Sequence, residues 1–164
     1  MRLILATAFL GSLVPATSAT EATVRLGNAS IRFDRTRWQA SALPGSISFA
    51  PQGNAGRDFD PVKLHVVDDD VPCAALAARA FATGHYDLEN IDTSAMRVGG
   101  VDGERFATHT GCRNATPRGV VACIKFGSKS YLLQALHSGC GGRNLFNGPD
   151  PLAEIADGIS FVRE

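Results

Sequence analysis

The stretch VVACIKFGSKSYLLQALH, Val120–His137, decides how this chain is read. Two apolar runs rich in β-branched and aromatic residues, Val120–Phe126 and Tyr131–His137, flank the polar turn Gly127-Ser128-Lys129. That pattern predicts a β-hairpin. Working back from it, Met96–Val98 and Arg105–Thr110 flank the glycine-rich turn Gly99-Gly100-Val101-Asp102-Gly103 and predict a second hairpin. Earlier still, Ser46–Phe49 and Val62–Val67 read as strands separated by a Gly/Asn/Asp-rich loop. Thr23–Leu26 and Ser30–Phe33, around Gly27-Asn28, complete the set.

Two segments carry helical spacing instead. Cys73, Leu76, Ala77, Ala80 and Phe81 form one apolar stripe, opened by Asp70-Val71-Pro72 and stopped at Gly84. Asp70 is the candidate cap, with proline tolerated in the first turn. The second segment begins at Asp150-Pro151-Leu152, with Leu152, Ile155, Ala156 and Ile159 on one face, and runs out into Ser160-Phe161-Val162. Strands, a helix, more strands and a closing helix predict an α+β fold: an antiparallel sheet with two main helices packed on it.

The N-terminus MRLILATAFLGSLVPATSAT has a basic start at Arg2, an apolar run over Leu3–Val14 and small residues at Thr17-Ser18-Ala19. This is the layout of a secretory signal peptide, residues 1–19, and is too short for a membrane span. The expectation is a periplasmic or secreted protein whose single domain covers residues 20–164. Removing 19 residues from 164 leaves 145, enough for one ordinary core. Without Arg2 the chain holds 15 Lys and Arg against 16 Asp and Glu. That balance, with no basic cluster interleaved with aromatics, argues against nucleic acid as a partner.

Four cysteines follow the leader: Cys73, Cys112, Cys123 and Cys140. An even count in an oxidising compartment predicts two disulfides, but four cysteines allow three pairings. The preferred pairing is Cys112–Cys123, closing the segment between them, with Cys73–Cys140 tying the first helix to the loop after the last strand of the hairpin. Cys112–Cys140 with Cys73–Cys123 is the rival.

The cysteines also stand in an echo, His109-Thr110-Gly111-Cys112 and His137-Ser138-Gly139-Cys140. In an up-down-up arrangement of the strands from Arg105 to His137, both units fall at the same sheet end. A tetrahedral site of His109, Cys112, His137 and Cys140 is then the metal alternative, since zinc accepts two thiolates and two imidazoles. Against it, first and third strands are ~10 Å apart, the spacing matches no structural zinc knuckle, and oxidation competes for the thiols. Strand ends that need a rim residue and a turn glycine yield the same echo.

Cys73, at a helix N-terminus with His137 as base, is the candidate for thiol catalysis. Asp68, Asp69 and Asp70 oppose a thiolate there, and nothing local specifies the base. Those three carboxylates lack the alternation and glycine of a calcium loop and instead suit a helix N-terminus. His65, among Val62, Leu64, Val66 and Val67, faces away from Leu64 and Val66 by alternation, and His85 reads as a surface residue. Gly141-Gly142-Arg143 is glycine-rich but opens no helix. Hydrolase, zinc-protease and phosphate-loop motifs are absent, and no cofactor is expected.

The hairpin TVRLGNASIRF (Thr23–Phe33), the following Trp38, VGGVDGERF (Val98–Phe106), VVACIKFGSKSYLLQAL and the closing DPLAEIADGISFV (Asp150–Val162) together resemble the PsbP-like superfamily. That resemblance implies an α/β/α sandwich and a binding or assembly role in place of catalysis. The cysteines are not part of its pattern. The functional expectation is therefore an exported, non-enzymatic binding or accessory protein, whose partner is an envelope protein or a small ligand. Contacts are expected at a sheet edge or at the loops around Gln52–Arg57 and Gly141–Pro149. Metal binding and an exported hydrolase or thiol enzyme are the alternatives.

Overall fold

The hairpins at Gly27 and Gly99 seed two different sheets, not one. A computed structural model describes residues 20–52, 60–68, 70–84, 86–111, 118–136 and 151–163. Strands β1 (Glu21–Leu26) and β2 (Ala29–Asp34) turn at Gly27, whose φ of 56° suits glycine. Next come β3 (Trp38–Leu43), β4 (Ser46–Pro51) and β5 (Val62–Val67), then helix α1 (Cys73–Phe81). Strands β6 (Asp92–Val98), β7 (Val101–His109), β8 (Arg118–Phe126) and β9 (Lys129–Ala135) follow. Helix α2 (Pro151–Asp157) and the short β10 (Ile159–Phe161) close the chain. All pairings are antiparallel: a seven-stranded sheet in the order β3-β4-β5-β9-β8-β7-β6 and a three-stranded sheet in the order β1-β2-β10.

The expected α+β fold, one antiparallel sheet with two main helices packed on it, is corrected: the described residues are mostly strand, in two sheets, and the helices are nine and seven residues long. One reason is β3. Its sequence WQASAL has little β-propensity, so the sequence shows no strand there. It forms because Trp38 is 4% exposed within the core and β3 pairs with β4 from Trp38↔Pro51 to Leu43↔Ser46. The other reason is β10, which leaves α2 after two turns and pairs with β2 from Ile159↔Ile31 to Phe161↔Ala29, completing the small sheet.

The glycine-rich segment at residues 99–103 is also tighter than its composition predicts. Gly99 and Gly100 alone make the turn, with φ of 58° and 80°, and Gly103 lies inside β7. A β-carbon on Gly103 would sit 2.7 Å from the Cys123 carbonyl oxygen, so glycine there permits close approach of β8.

Alternation along β8 divides the interior. Val120, Ala122 and Ile124 face one core with Phe49, Leu64, Tyr131, Leu133, Leu152 and Ile155, under α2 and the small sheet. Val121 and Cys123 face the other, with Leu76, Phe81, Tyr86, Phe106 and Leu132, under α1. The central strands are buried on both sides, which explains their near-continuous apolar run.

α1 begins at Cys73 after Pro72, and no side chain caps it. Asp70 is therefore not the expected cap. It is exposed and lies 3.3 Å from the Lys125 ammonium, while Asp68 lies 3.7 Å from that of Lys129.

Candidate binding sites

Cys73 Sγ and Cys123 Sγ form a disulfide, with 5.7 Å between the Cα atoms, joining the first residue of α1 to the middle of β8. This replaces the preferred pairing of Cys112 with Cys123 and Cys73 with Cys140, and it is one half of the rival. The sheet explains it: the face of β8 that carries Cys123 is the face on which α1 lies, so the helix start stands directly above it. Cys112 and Cys140 lie outside the described residues. A thiolate on Cys73 is unavailable for catalysis while this bond stands.

Of the metal alternative, His109 is described: it ends β7, is exposed, and its carbonyl accepts the Asp87 N–H at 2.9 Å. Cys112, His137 and Cys140 lie outside the described residues. Among the described residues no group of three His, Cys, Asp or Glu side chains converges as a metal site. Residues 1–19, expected to form a leader, also lie outside them, as do Asp69, His85, Arg143 and residues 53–57 and 141–149, where partner contacts are expected. Gln52 is described, and its N–H donates to the Arg37 carbonyl at 2.8 Å.

One cleft is built around His65. Opposite residues in an antiparallel ladder share a face. His65 stands opposite Leu132, and Lys63 opposite Gln134, so all four face the α1 side, where Leu132 joins the core beneath the helix. The same rows continue outward through Ser46 and Ser48 on β4 to Leu43 and Ser41 on β3. α1 packs over β7, β8 and β9. Farther along this face Ser41, Leu43 and Lys63 are exposed, Leu43 at 61%. The step between helix and open sheet holds a cavity of about 360 Å³. Lys63, His65 and Gln134 floor it, with Asp60 and Pro61 alongside; Thr83 and Gly84 at the end of α1 and Tyr86 wall it.

Burial holds the His65 imidazole below its ordinary value of 6.5, and the Lys63 charge adds to the effect. At neutral pH the floor therefore presents one ammonium, one neutral imidazole and one carboxamide. Such a set suits hydrogen bonding and charge pairing. Alternation placed His65 correctly; Lys63 and Gln134 were missed because polar residues on a strand ordinarily mark its solvated face. The signal available was that β5 keeps Lys63 and His65 on one face while Val62 and Leu64 are buried on the other.

A second, more open cavity of about 720 Å³ lies where three turns meet. Asn28 comes from the β1–β2 turn, Gly100 and Val101 from β6–β7, and Gly127 and Ser128 from β8–β9, with Lys125, Lys129 and Arg163 around them. The packing beneath is tight. The Tyr131 hydroxyl accepts the Asn28 N–H at 2.9 Å, Phe161 stacks on Phe126 with centroids 4.9 Å apart, and Tyr131 meets Phe161 edge-on at 5.0 Å.

Comparison with known proteins adds no relative to these observations: no protein-family model matches the chain, and neither does any curated protein.

Proposed function

We propose that this chain is an exported, non-enzymatic binding or accessory module, periplasmic or secreted, that uses the His65 cleft to hold a small polar ligand or a polar segment of an envelope protein. The observation that carries the reading is the half-covered sheet: α1 spans β7 to β9, and a concave polar floor of Lys63, His65 and Gln134 lies at its edge. Clefts that combine apolar walls with a few convergent polar groups are the usual form of a binding site. Export is supported by the Cys73–Cys123 disulfide, a bond that persists in oxidising compartments, and by the leader-like N-terminus. Among the described residues no helix is long and apolar enough to cross a membrane. The sequence resemblance to the PsbP-like superfamily supports a binding role in the same way.

Native mass spectrometry of the protein drawn from a periplasmic extract tests this reading. The expected result is an added mass, small molecule or protein, that disappears in the Lys63→Leu/Gln134→Leu variant while the fold is retained. An added mass that survives both substitutions, or none in any extract, overturns it.

A further inference from the structure

We infer that the three-turn cavity at the other end of the sheet is a binding site for a multivalent phosphate-bearing anion. Its charged lining is cationic and comes from separate parts of the chain: Lys125 is the penultimate residue of β8, Lys129 begins β9, and Arg163 follows β10. No carboxylate lines it among the described residues. Arg163 has no ion-pair or hydrogen-bond partner among them, although a guanidinium offers five donors in a planar fork that matches phosphate. Lys125 and Lys129 already lean on acids, Asp70 at 3.3 Å and Asp68 at 3.7 Å. Both acids are strongly exposed, their side chains at 105% and 79%. Exposed pairs of this kind are weak, because solvent screens them and holding two long side chains together costs entropy, so an entering dianion displaces them readily.

The turn backbone favours the same ligand. The Gly100 carbonyl, which would repel an anion, is occupied: Arg97 donates to it from Nε at 3.2 Å and from Nη2 at 2.9 Å. The turns are also held in place, because a β-carbon on Gly27 would lie 2.9 Å from the Tyr131 hydroxyl and one on Gly99 would lie 2.8 Å from the Ile159 carbonyl oxygen. Cations carried on rigid turns lose little freedom on binding, which favours affinity. This site is separate from the His65 cleft and does not depend on the function proposed for that cleft.

Calorimetric titration with inorganic diphosphate at low ionic strength tests the inference, with sedimentation on phosphatidylglycerol vesicles as the second arm. The expected result is saturable binding weakened at least about tenfold, a change of ~1.4 kcal/mol, when Lys125, Lys129 and Arg163 are all replaced by Gln. Lys125→Arg/Lys129→Arg retains binding, and Lys63→Gln, at the other cleft, leaves it unchanged. Saturable binding to diphosphate identifies a soluble phosphate compound as the source; binding to vesicles alone identifies a lipid headgroup. Binding to neither, or equal binding by the triple variant with its unfolding midpoint intact, overturns the proposal.

Discussion

The Trp38 indole N–H donates to Glu154 Oε1 at 2.9 Å, joining the first residue of β3 to α2 across 116 positions of sequence. The other carboxylate oxygen of Glu154 takes the Arg37 guanidinium at 2.9 Å. One carboxylate thus anchors the edge strand that the sequence conceals, and it satisfies the polar atom of a buried indole. Glu154→Leu removes both contacts and leaves the indole N–H unpaired, at an expected cost of about 1–3 kcal/mol. Trp38→Phe removes the donor along with one ring and costs ~1–2 kcal/mol. Urea unfolding of both single variants and the double variant measures the coupling. A sum of single effects equal to the double effect would show that the contact carries no energy.

The disulfide makes a prediction by mass. In denatured protein without reductant, Cys73 and Cys123 resist alkylation; after reduction both react. Cys73→Ser/Cys123→Ser removes a cross-link spanning 50 residues. Loop-closure entropy sets that loss near ~4 kcal/mol as an upper figure. The denaturation midpoint of the variant checks it, and an unchanged midpoint would contradict it.

Protonation of His65 opposes the folded state. Its folded pKa is depressed from 6.5 by burial and then by Lys63, so between that lowered value and 6.5 the unfolded chain binds more protons. The contribution of neutral His65 to stability is therefore complete above pH 6.5 and is lost as the pH falls through the folded value. His65→Gln flattens this part of the stability profile, as read from urea midpoints at a series of pH values. A wild-type slope that persists in the variant assigns the effect to other groups.

Two adjacent glycines separate strain from crowding. Gly99 and Gly100 both have positive φ, but a β-carbon on Gly99 meets the Ile159 carbonyl oxygen at 2.8 Å, whereas one on Gly100 meets nothing within 4 Å. Gly100→Ala carries the left-handed backbone cost alone, ~1 kcal/mol. Gly99→Ala adds displacement of β10 and is expected to cost at least twice as much, read as a larger drop in melting temperature. Equal losses would mean that β10 yields freely.

Most strands were legible because their apolar residues recur with strand periodicity or run continuously between glycine turns. The hairpins around Gly27, Gly99 and Gly127 and the apolar stripe of α1 needed no tertiary information. β3 was not legible. Ala, Ser and Gln at its positions carry no strand signal, and its place depends on Trp38 reaching Glu154 on a helix more than a hundred residues away. Nor was the polar floor of the His65 cleft: Lys63 and Gln134 become neighbours only because β5 pairs with β9 across four intervening elements.

By itself, then, the sequence determined most local conformations, the near-zero charge and the presence of cysteines able to pair. These depend on periodicity, turn chemistry and composition, which act over a few residues. Tertiary structure decided the division into two sheets, the pairing of Cys73 with Cys123, and the gathering of Lys125, Lys129 and Arg163 at one end. Each of these depends on which strand lies beside which, and strand order is selected by burial of both faces of β8 and β9, a property of the assembled layers and of no single segment.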